Sequence, residues 1–286
     1  MKHLMKLLFV PLLAFFSCTS QIDEIWDNGE LPLDEDEVPA GDGLHSVGVC
    51  FTRSSIEAFA EQGISEIGIY VYMSDSLIYG ETQPLVHGSV EVPLPLGENL
   101  QTFVVANADE VEGAERLSTA VIRQHDNMQK PVYISEVTGF TSDNSVKSLD
   151  IELKQLMGQA VFSPKETAEE LDAVTDFDAL DITFTNVGVA YNVKDEKAIL
   201  ESVTVRTDRT AGFSAFVYSF PTENNGSRTS VDVVYLKDNV EVNRTNGALD
   251  TGIAFKSSKR SIVYMEILNE DWVETKWDDP IEETEF

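Results

Sequence analysis

The side chains of this sequence that could take part in catalysis, metal binding or covalent modification include two cysteines, four histidines and 50 acidic residues. His45, His87 and His125 are widely scattered, and none has a second histidine at the short spacing of a zinc site. Glycosidases use two carboxylates at a defined separation, and carboxylates are so numerous here that the sequence alone cannot identify such a pair. The sequence has no Gly-x-Ser-x-Gly elbow, phosphate-binding glycine loop, calcium loop or cysteine pair. We therefore expect no enzyme, no catalytic or metal-binding residue and no cofactor.

Cys18 is placed for a different chemistry, the acylation of its thiol. A basic N-terminus precedes the apolar run 7–16, and Phe15, Phe16 and Ser17 then lead directly into Cys18. This is the order of a lipoprotein signal peptide and its cleavage site. The run is about ten residues, whereas a membrane-spanning helix needs roughly 20. We predict lipidation of Cys18 and anchoring in the outer membrane; an ordinary secretory signal with a chance cysteine is the alternative.

The acidic charge is concentrated at the two ends of the mature chain. Removal of residues 1–17 as a signal peptide takes away two lysines, so the net charge changes from −30 to about −32. Segment 18–43 holds nine acidic residues and no basic one, and 270–286 holds eight acidic residues and one lysine. Nucleic acid is excluded as a partner because it requires a basic stripe. We predict an acidic flexible tether over 18–43 and an acidic tail over 270–286.

The elements between these ends are predicted to be mostly β-strands. Apolar residues alternate with period two, which places every second side chain on a buried sheet face. Helical signals are few. Segment 113–125 carries Leu117, Ala120 and Val121 at helical spacing, and segment 165–174 follows Pro164 with an acidic first turn, so each is predicted to form a short helix. The alternating sets are Ile67, Ile69, Val71 and Met73; Val90, Val92, Leu94 and Leu96; Leu149, Ile151 and Leu153; Ile182 and Phe184; Val203 and Val205; Phe213, Ala215 and Val217; Val231, Val233 and Tyr235; and Ile262, Tyr264 and Glu266.

The chain is predicted to divide into two all-β sandwiches. Turn signals such as Asp238-Asn239 separate the strands, and a new apolar run starts after Lys154. We place an N-terminal sandwich at 44–156 and a C-terminal sandwich at 157–269. Cys50 lies within a strand-like apolar run and is interpreted as a structural residue.

Several short patterns resemble the Bacteroidales fimbrillin and fimbrial-anchor family. The run Ile69-Tyr70-Val71-Tyr72 is similar to an early strand of that family, and Leu96-Gly97 followed by Phe103–Ala108 is similar to its next conserved strand. The passage Leu149–Lys154 followed by Gln159–Phe162 is similar to its interdomain crossing, with Lys154 where an arginine is common. The likeness covers most of residues 44–269.

The resemblance implies a transthyretin-like sandwich in each half and a fimbrial subunit that supports cell adhesion. Such subunits join other fimbrial subunits by β-strand exchange, in which a strand from one completes an open sheet in the next. In shaft subunits an arginine-specific protease removes the first strand. Arg53 follows the apolar run Leu44–Thr52 and is the candidate processing site. One alternative is that Arg53 is only the surface end of a strand and is not cut. If the chain is an anchor subunit, it would keep both its lipid and its first strand.

A surface glycan-binding lipoprotein of a polysaccharide-uptake system is the alternative function. Such a protein would also be acidic, tethered and all-β, and it would bind sugars on exposed aromatic side chains. The candidates are Tyr70, Tyr72, Tyr79, Trp272 and Trp277, although Tyr70 and Tyr72 lie within an apolar strand. Three aromatics along one open face would favour glycan binding, whereas an apolar groove or a detachable terminal strand would favour assembly.

One further modification is predicted within the first half. Asp75-Ser76-Leu77 matches the short acceptor motif for O-glycosylation on exported proteins of such bacteria. Ser76 is the candidate acceptor.

Overall fold

The computed structural model describes the chain from residue 44 onward, with short gaps. No described helix is long and apolar enough to cross a membrane. The predicted signal peptide and tether, and the candidates Phe15, Phe16, Ser17, Cys18 and Arg53, lie outside the described residues. These residues are 44–51, 64–85, 89–124, 129–143, 145–146, 148–173, 176–268 and 271–280, the last for its backbone alone.

The described residues form 20 strands, one α-helix and three short 3-10 turns. The helix is α1 (Ala168–Asp172), and the 3-10 turns are Leu117–Thr119, Arg209–Ala211 and Glu223–Asn225. The strands are β1 (Leu44–Cys50), β2 (Glu66–Met73), β3 (Ser76–Pro84), β4 (Ser89–Pro95), β5 (Gly97–Ala106), β6 (Glu110–Glu112), β7 (Val121–Arg123), β8 (Tyr133–Ile134), β9 (Thr138–Ser142), β10 (Ser148–Asp150), β11 (Lys154–Gln155), β12 (Gly158–Pro164), β13 (Ala179–Asn192), β14 (Lys197–Asp208), β15 (Ala215–Ser219), β16 (Thr229–Lys237), β17 (Val240–Arg244), β18 (Leu249–Ile253), β19 (Lys259–Glu266) and β20 (Asp271–Pro280).

Two sheets enclose the core of the N-terminal half. One has the order β10-β1-β4, and the other has the order β11-β8-β5-β2-β3 with β9 also paired to β5. Alternate side chains of both sheets meet in one buried cluster that includes Val47, Ile69, Val92 and Val104. The inward set of β2 is the predicted one, but on β4 Leu96 is exposed, because the strand ends at Pro95.

A second pair of sheets encloses the core of the C-terminal half. The first has the order β15-β12-β19-β20, and the second has the order β17-β16-β13-β7-β6, with β14 on β13 and β18 on β16. Their buried cluster includes Phe162, Phe184, Val217, Val233 and Met265. The predicted all-β sandwich fold is therefore confirmed.

Both halves use the same arrangement of strands. In the first, β1 lies between antiparallel β4 and parallel β10; in the second, β12 lies between antiparallel β15 and parallel β19. The facing sheets contain β3-β2-β5 and β14-β13-β16 in matching order. Leu156 and Met157 connect β11 to β12, and the division into two domains at this point stays a prediction. Independent folding of the two halves stays a prediction.

A third buried cluster joins the two halves. The β6-β7 hairpin leaves the N-terminal half and pairs with the end of β13, where Tyr191 lies opposite Ile122. Tyr72 and Phe103 from the outer face of the first half pack in the same cluster as Ile122, Tyr191 and Phe220. Because these side chains are almost fully buried, the contact between the halves is apolar and extensive.

The short helix is confirmed where the acidic segment predicted it. The Thr167 hydroxyl accepts a hydrogen bond from the Glu170 amide, and the Glu170 carboxylate accepts one from the Thr167 amide. This reciprocal pair is a capping box that satisfies two amides at the start of α1.

The predicted helix over 113–125 is wrong. This segment contains a 3-10 turn followed by strand β7. Of the three apolar residues at helical spacing, Leu117 and Ala120 are buried in the third cluster, but Val121 is not, and Ile122 is buried there in its place. Pairing with β13 supplies the backbone hydrogen bonds that an isolated segment would have obtained by forming a helix.

The predicted inward face of β19 is also wrong. Val263, Met265 and Ile267 are buried in place of Ile262, Tyr264 and Glu266. A shift of one residue moves every side chain to the opposite face of a strand. The parallel register with β12, in which Phe162 lies opposite Val263, fixes the face that is buried.

Within the predicted acidic tail, residues 271–280 extend the C-terminal sandwich. They form β20, which pairs antiparallel with β19. The high acidic content of this segment therefore does not keep its backbone from joining a sheet.

Candidate functional site

The first strand of the fold occupies a slot between two others. Each of the seven residues of β1 has a register partner on β4, from Leu44 opposite Pro95 to Cys50 opposite Ser89. On its other side, residues 48–50 run parallel to β10, and the Ile151 amide donates a hydrogen bond to the Cys50 carbonyl at 2.9 Å. We call this position of β1, with its neighbours β4 and β10, the β1 slot.

The side chains of β1 hold the strand against the facing sheet. Val47 and Val49 are 0% and 3% exposed, and Phe51 beyond the strand end is 6% exposed. All three belong to the cluster that contains Ile69 and Val104 of the facing sheet. Removal of β1 would therefore open a groove with an apolar floor between two strand edges. Cys50 is also buried, as expected for a structural cysteine.

His45 lies on the same side of β1 as Val47. Its Nδ1 atom is 3.3 Å from the Ser142 hydroxyl on β9, and its Nε2 atom is buried without a hydrogen-bond partner among the described residues. No group of three potential metal ligands occurs in the described part of the chain. His87 and His125 lie outside it.

Ser76 begins β3, immediately after the tight turn that joins β2 to β3. Ser74 and Asp75 in this turn have φ angles of 49° and 75°. The Asp75 carboxylate accepts hydrogen bonds from the Ser118 amide at 2.7 Å and the Ser118 hydroxyl at 2.8 Å, and these bonds hold its pKa below the usual value. The Ser76 side chain is exposed, so the candidate acceptor is accessible on a fixed hairpin.

The three tyrosines expected as a sugar platform do not form one. Tyr72 is fully buried, and Tyr79 is 9% exposed. Tyr70 is partly exposed, but its ring stacks on Phe103 with 5.1 Å between centroids. Burial raises the pKa of both the Tyr70 and Tyr72 hydroxyls. The side chains of Trp272 and Trp277 lie outside the described part of the structure.

The sequence predicted the strand that occupies the β1 slot, but it did not predict which strands lie on either side of it. Alternation predicted a strand at Val90, Val92 and Leu94, and β4 confirms it. Alternation also predicted a strand through Leu149, Ile151 and Leu153, but β10 ends at Asp150, and Ile151 and Leu153 are buried beyond its end. The alternation carried no signal that both strands flank Leu44–Cys50, because pairing partners far apart in sequence leave no local pattern.

No protein-family model matches this sequence, and no curated protein matches it. Several solved structures share the fold. A candidate polysaccharide-binding protein from Bacteroides thetaiotaomicron has a TM-score of 0.53 at 13% identity, covering 84% of this chain and 98% of that chain.

Two candidate adhesins are similar in the same way. One from Bacteroides thetaiotaomicron has a TM-score of 0.53 at 11% identity, covering 84% of this chain and 98% of that chain. One from Bacteroides ovatus has a TM-score of 0.51 at 13% identity, covering 83% of this chain and 94% of that chain. At these identities the likeness establishes a common all-β fold across nearly the whole of each related protein.

Proposed function

We propose that this chain is a surface-exposed fimbrial subunit or fimbrial-anchor lipoprotein that joins other subunits by β-strand exchange at the β1 slot and supports cell adhesion. The observation that carries the proposal is the position of β1. It is the first described strand, it lies between two other strands, and its side chains are buried. The fold shared with candidate adhesins agrees with this role.

The slot would bind a replacement strand strongly. Burial of a large apolar side chain contributes about 1.5–3 kcal/mol, so Val47, Val49 and Phe51 together contribute about 5–9 kcal/mol. An empty slot would also leave the backbone groups of β4 and β10 without partners, as on any open sheet edge. An incoming strand with alternating apolar side chains would satisfy both requirements.

Proteolysis after Arg53 is the proposed step that empties the slot in a shaft subunit. Arg53 is two residues beyond Phe51, so a cut there would separate the whole of β1 from the fold. The purified chain 18–286 should be monomeric before treatment with an arginine-specific protease and should form polymers afterwards, as measured by light scattering. Arg53→Ala is the matched control and should stay monomeric. Polymers from this variant, or a cut wild type that stays monomeric beside its partner subunits, would contradict a shaft role.

A second experiment examines the slot without any protease. A chain that begins at Ser54 lacks β1 and should bind a synthetic peptide of residues 44–52, because the peptide restores the missing strand. The same peptide with Val47→Asp and Val49→Asp should not bind, since it would place two charges in an apolar floor. Equal binding of the two peptides would show that the slot does not recognise alternating apolar side chains.

The anchor role depends on Cys18 and on an uncut first strand. Cys18→Ala should abolish acylation and move the protein out of the membrane fraction. An unchanged partition into detergent would contradict lipidation. Native fimbriae that contain the lipidated chain uncut at Arg53 would favour an anchor over a shaft subunit.

Glycosylation of Ser76 is proposed as a surface modification of the same protein. Mass spectrometry of the native chain should find a glycan on the peptide that contains Ser76, and Ser76→Ala should remove it. An unmodified peptide from native cells would contradict the assignment.

A further inference from the structure

An asparagine directly before a glycine can lose its side-chain amide by reaction with its own backbone. The missing Cβ atom of the glycine allows the side chain to approach the glycine nitrogen closely. The sequence contains three such pairs, Asn28-Gly29, Asn225-Gly226 and Asn246-Gly247. The first lies outside the described residues, and the other two lie in loops of the C-terminal half. The structure distinguishes these two by the contacts of their asparagine side chains.

The Asn225 side chain is fixed against the backbone of β14. Its Nδ2 atom donates a hydrogen bond to the Ala198 carbonyl at 2.8 Å, and its Oδ1 atom accepts one from the Ala198 amide at 3.3 Å. Ala198 is 6% exposed and belongs to the third cluster, so the core holds this partner in place. Both polar atoms of the Asn225 side chain are therefore engaged.

The Asn246 side chain is exposed in the loop between β17 and β18, and it makes no hydrogen bond to a described residue. The Gly247 amide donates a hydrogen bond to the Thr245 carbonyl at 2.8 Å. The Gly226 amide is bonded in a comparable way, to the Glu223 carbonyl at 3.0 Å. Because both glycine amides are bonded, the two pairs differ mainly in the freedom of the asparagine side chain.

We propose that Asn246 is a site of spontaneous deamidation in the folded protein and that Asn225 is protected from it. The Gly247 amide nitrogen loses its proton and attacks Cγ of Asn246. A bond forms between these two atoms, the bond between Cγ and Nδ2 breaks, and Nδ2 leaves as ammonia. Water then opens the cyclic imide at either carbonyl, which gives aspartate or isoaspartate. The proposal is independent of strand exchange at the β1 slot.

The modification falls where the chain passes between two attachments to β16. Thr245 is 4% exposed, and its amide donates a hydrogen bond to the Val233 carbonyl at 2.9 Å. Leu249, which begins β18, is paired with Val231. Only residues 246–248 lie between these attachments. Isoaspartate would lengthen the backbone of this short connection, and either product would add a negative charge to it.

The test follows deamidation of the mature chain, residues 18–286, during incubation at mildly alkaline pH, which favours loss of the amide proton. Mass spectrometry of tryptic peptides detects the replacement of the side-chain NH₂ group by a hydroxyl. Digestion in isotope-labelled water marks any conversion that occurs during digestion itself. Trypsin places the two sites on different peptides, residues 245–256 for Asn246 and residues 210–228 for Asn225.

In the folded protein, Asn246 should convert at least about tenfold faster than Asn225. The two hydrogen bonds to Ala198 must break before Asn225 can react, and a tenfold difference in rate corresponds to about 1.4 kcal/mol in the barrier. Unfolding in concentrated urea is the matched control. Because urea releases Asn225 from Ala198, the two sites should then convert at similar rates. Asn246→Gln should abolish the conversion in its own peptide, since glutamine would have to close a larger ring, and should leave Asn225 unchanged.

Two results would overturn the proposal. Equal conversion of Asn246 and Asn225 in the folded protein would show that the bonds to Ala198 give no protection. Conversion of Asn246 only after unfolding would show that the loop between β17 and β18 holds this side chain away from the Gly247 nitrogen.

Discussion

Truncation of Val47 to alanine measures how strongly the β1 slot holds its own strand. Val47 is fully buried in the cluster between the two N-terminal sheets. The change removes two buried carbon atoms at about 0.8 kcal/mol each, and incomplete collapse of the cavity raises the cost to about 2 kcal/mol. This free energy corresponds to a roughly 30-fold larger population of molecules in which β1 has left the slot.

Hydrogen exchange of the strand neighbours is the appropriate assay. When β1 leaves, the amides of β4 that pair with it become accessible to solvent, so their exchange should accelerate by about 30-fold in Val47→Ala. The matched control is Val242→Ala on β17, where the side chain is 50% exposed and the expected change is within about 0.5 kcal/mol. In the wild type, the amides of β4 should exchange through local openings that expose less surface than the openings that expose the amides of β13. The exchange rates of the β4 amides should therefore depend less on denaturant concentration.

Two outcomes would refute this reasoning. Equal exchange of β4 in Val47→Ala and Val242→Ala would mean that Val47 does not hold the strand. Identical opening free energies and denaturant dependence for β4 and β13 in wild type would mean that β1 leaves only when the whole protein unfolds, and the slot could not then exchange its strand without proteolysis.

Three other predictions concern stability. Phe103→Ala in the third cluster should lower the free energy of unfolding by about 3–5 kcal/mol in denaturant titrations, whereas a change below 1 kcal/mol would show that the halves do not pack through this ring. Thr167→Ala removes one side of the capping box with Glu170 and should cost about 1 kcal/mol by thermal unfolding; an unchanged melting temperature would contradict the cap. The bonds from Ser118 lower the pKa of Asp75, so its stabilising contribution is present above about pH 4 and is lost as pH falls through the lowered pKa. Asp75→Asn should therefore be less stable than wild type near neutral pH, by a difference that shrinks in acid, and a difference independent of pH would refute this account.

Local patterns in the sequence determined the fold class. Alternation such as Ile67, Ile69 and Val71 predicts a strand with an apolar face, because the period of two is a property of the extended backbone itself. The acidic segment after Pro164 likewise contained its own helix start, because the capping groups at Thr167 and Glu170 are three residues apart. The prediction that Cys18 is acylated also rests on a local pattern, the apolar run 7–16 directly before Ser17 and Cys18.

Only the tertiary structure decided which strands lie side by side and which faces they bury. The helical spacing of Leu117 and Val121 was overruled by pairing of β7 with β13, and the inward face of β19 was fixed by its register with β12. The β1 slot combines strands that are far apart in sequence, so it leaves no pattern within one segment. The physical reason is that strand pairing and packing are long-range interactions, whereas periodicity and capping act over a few residues.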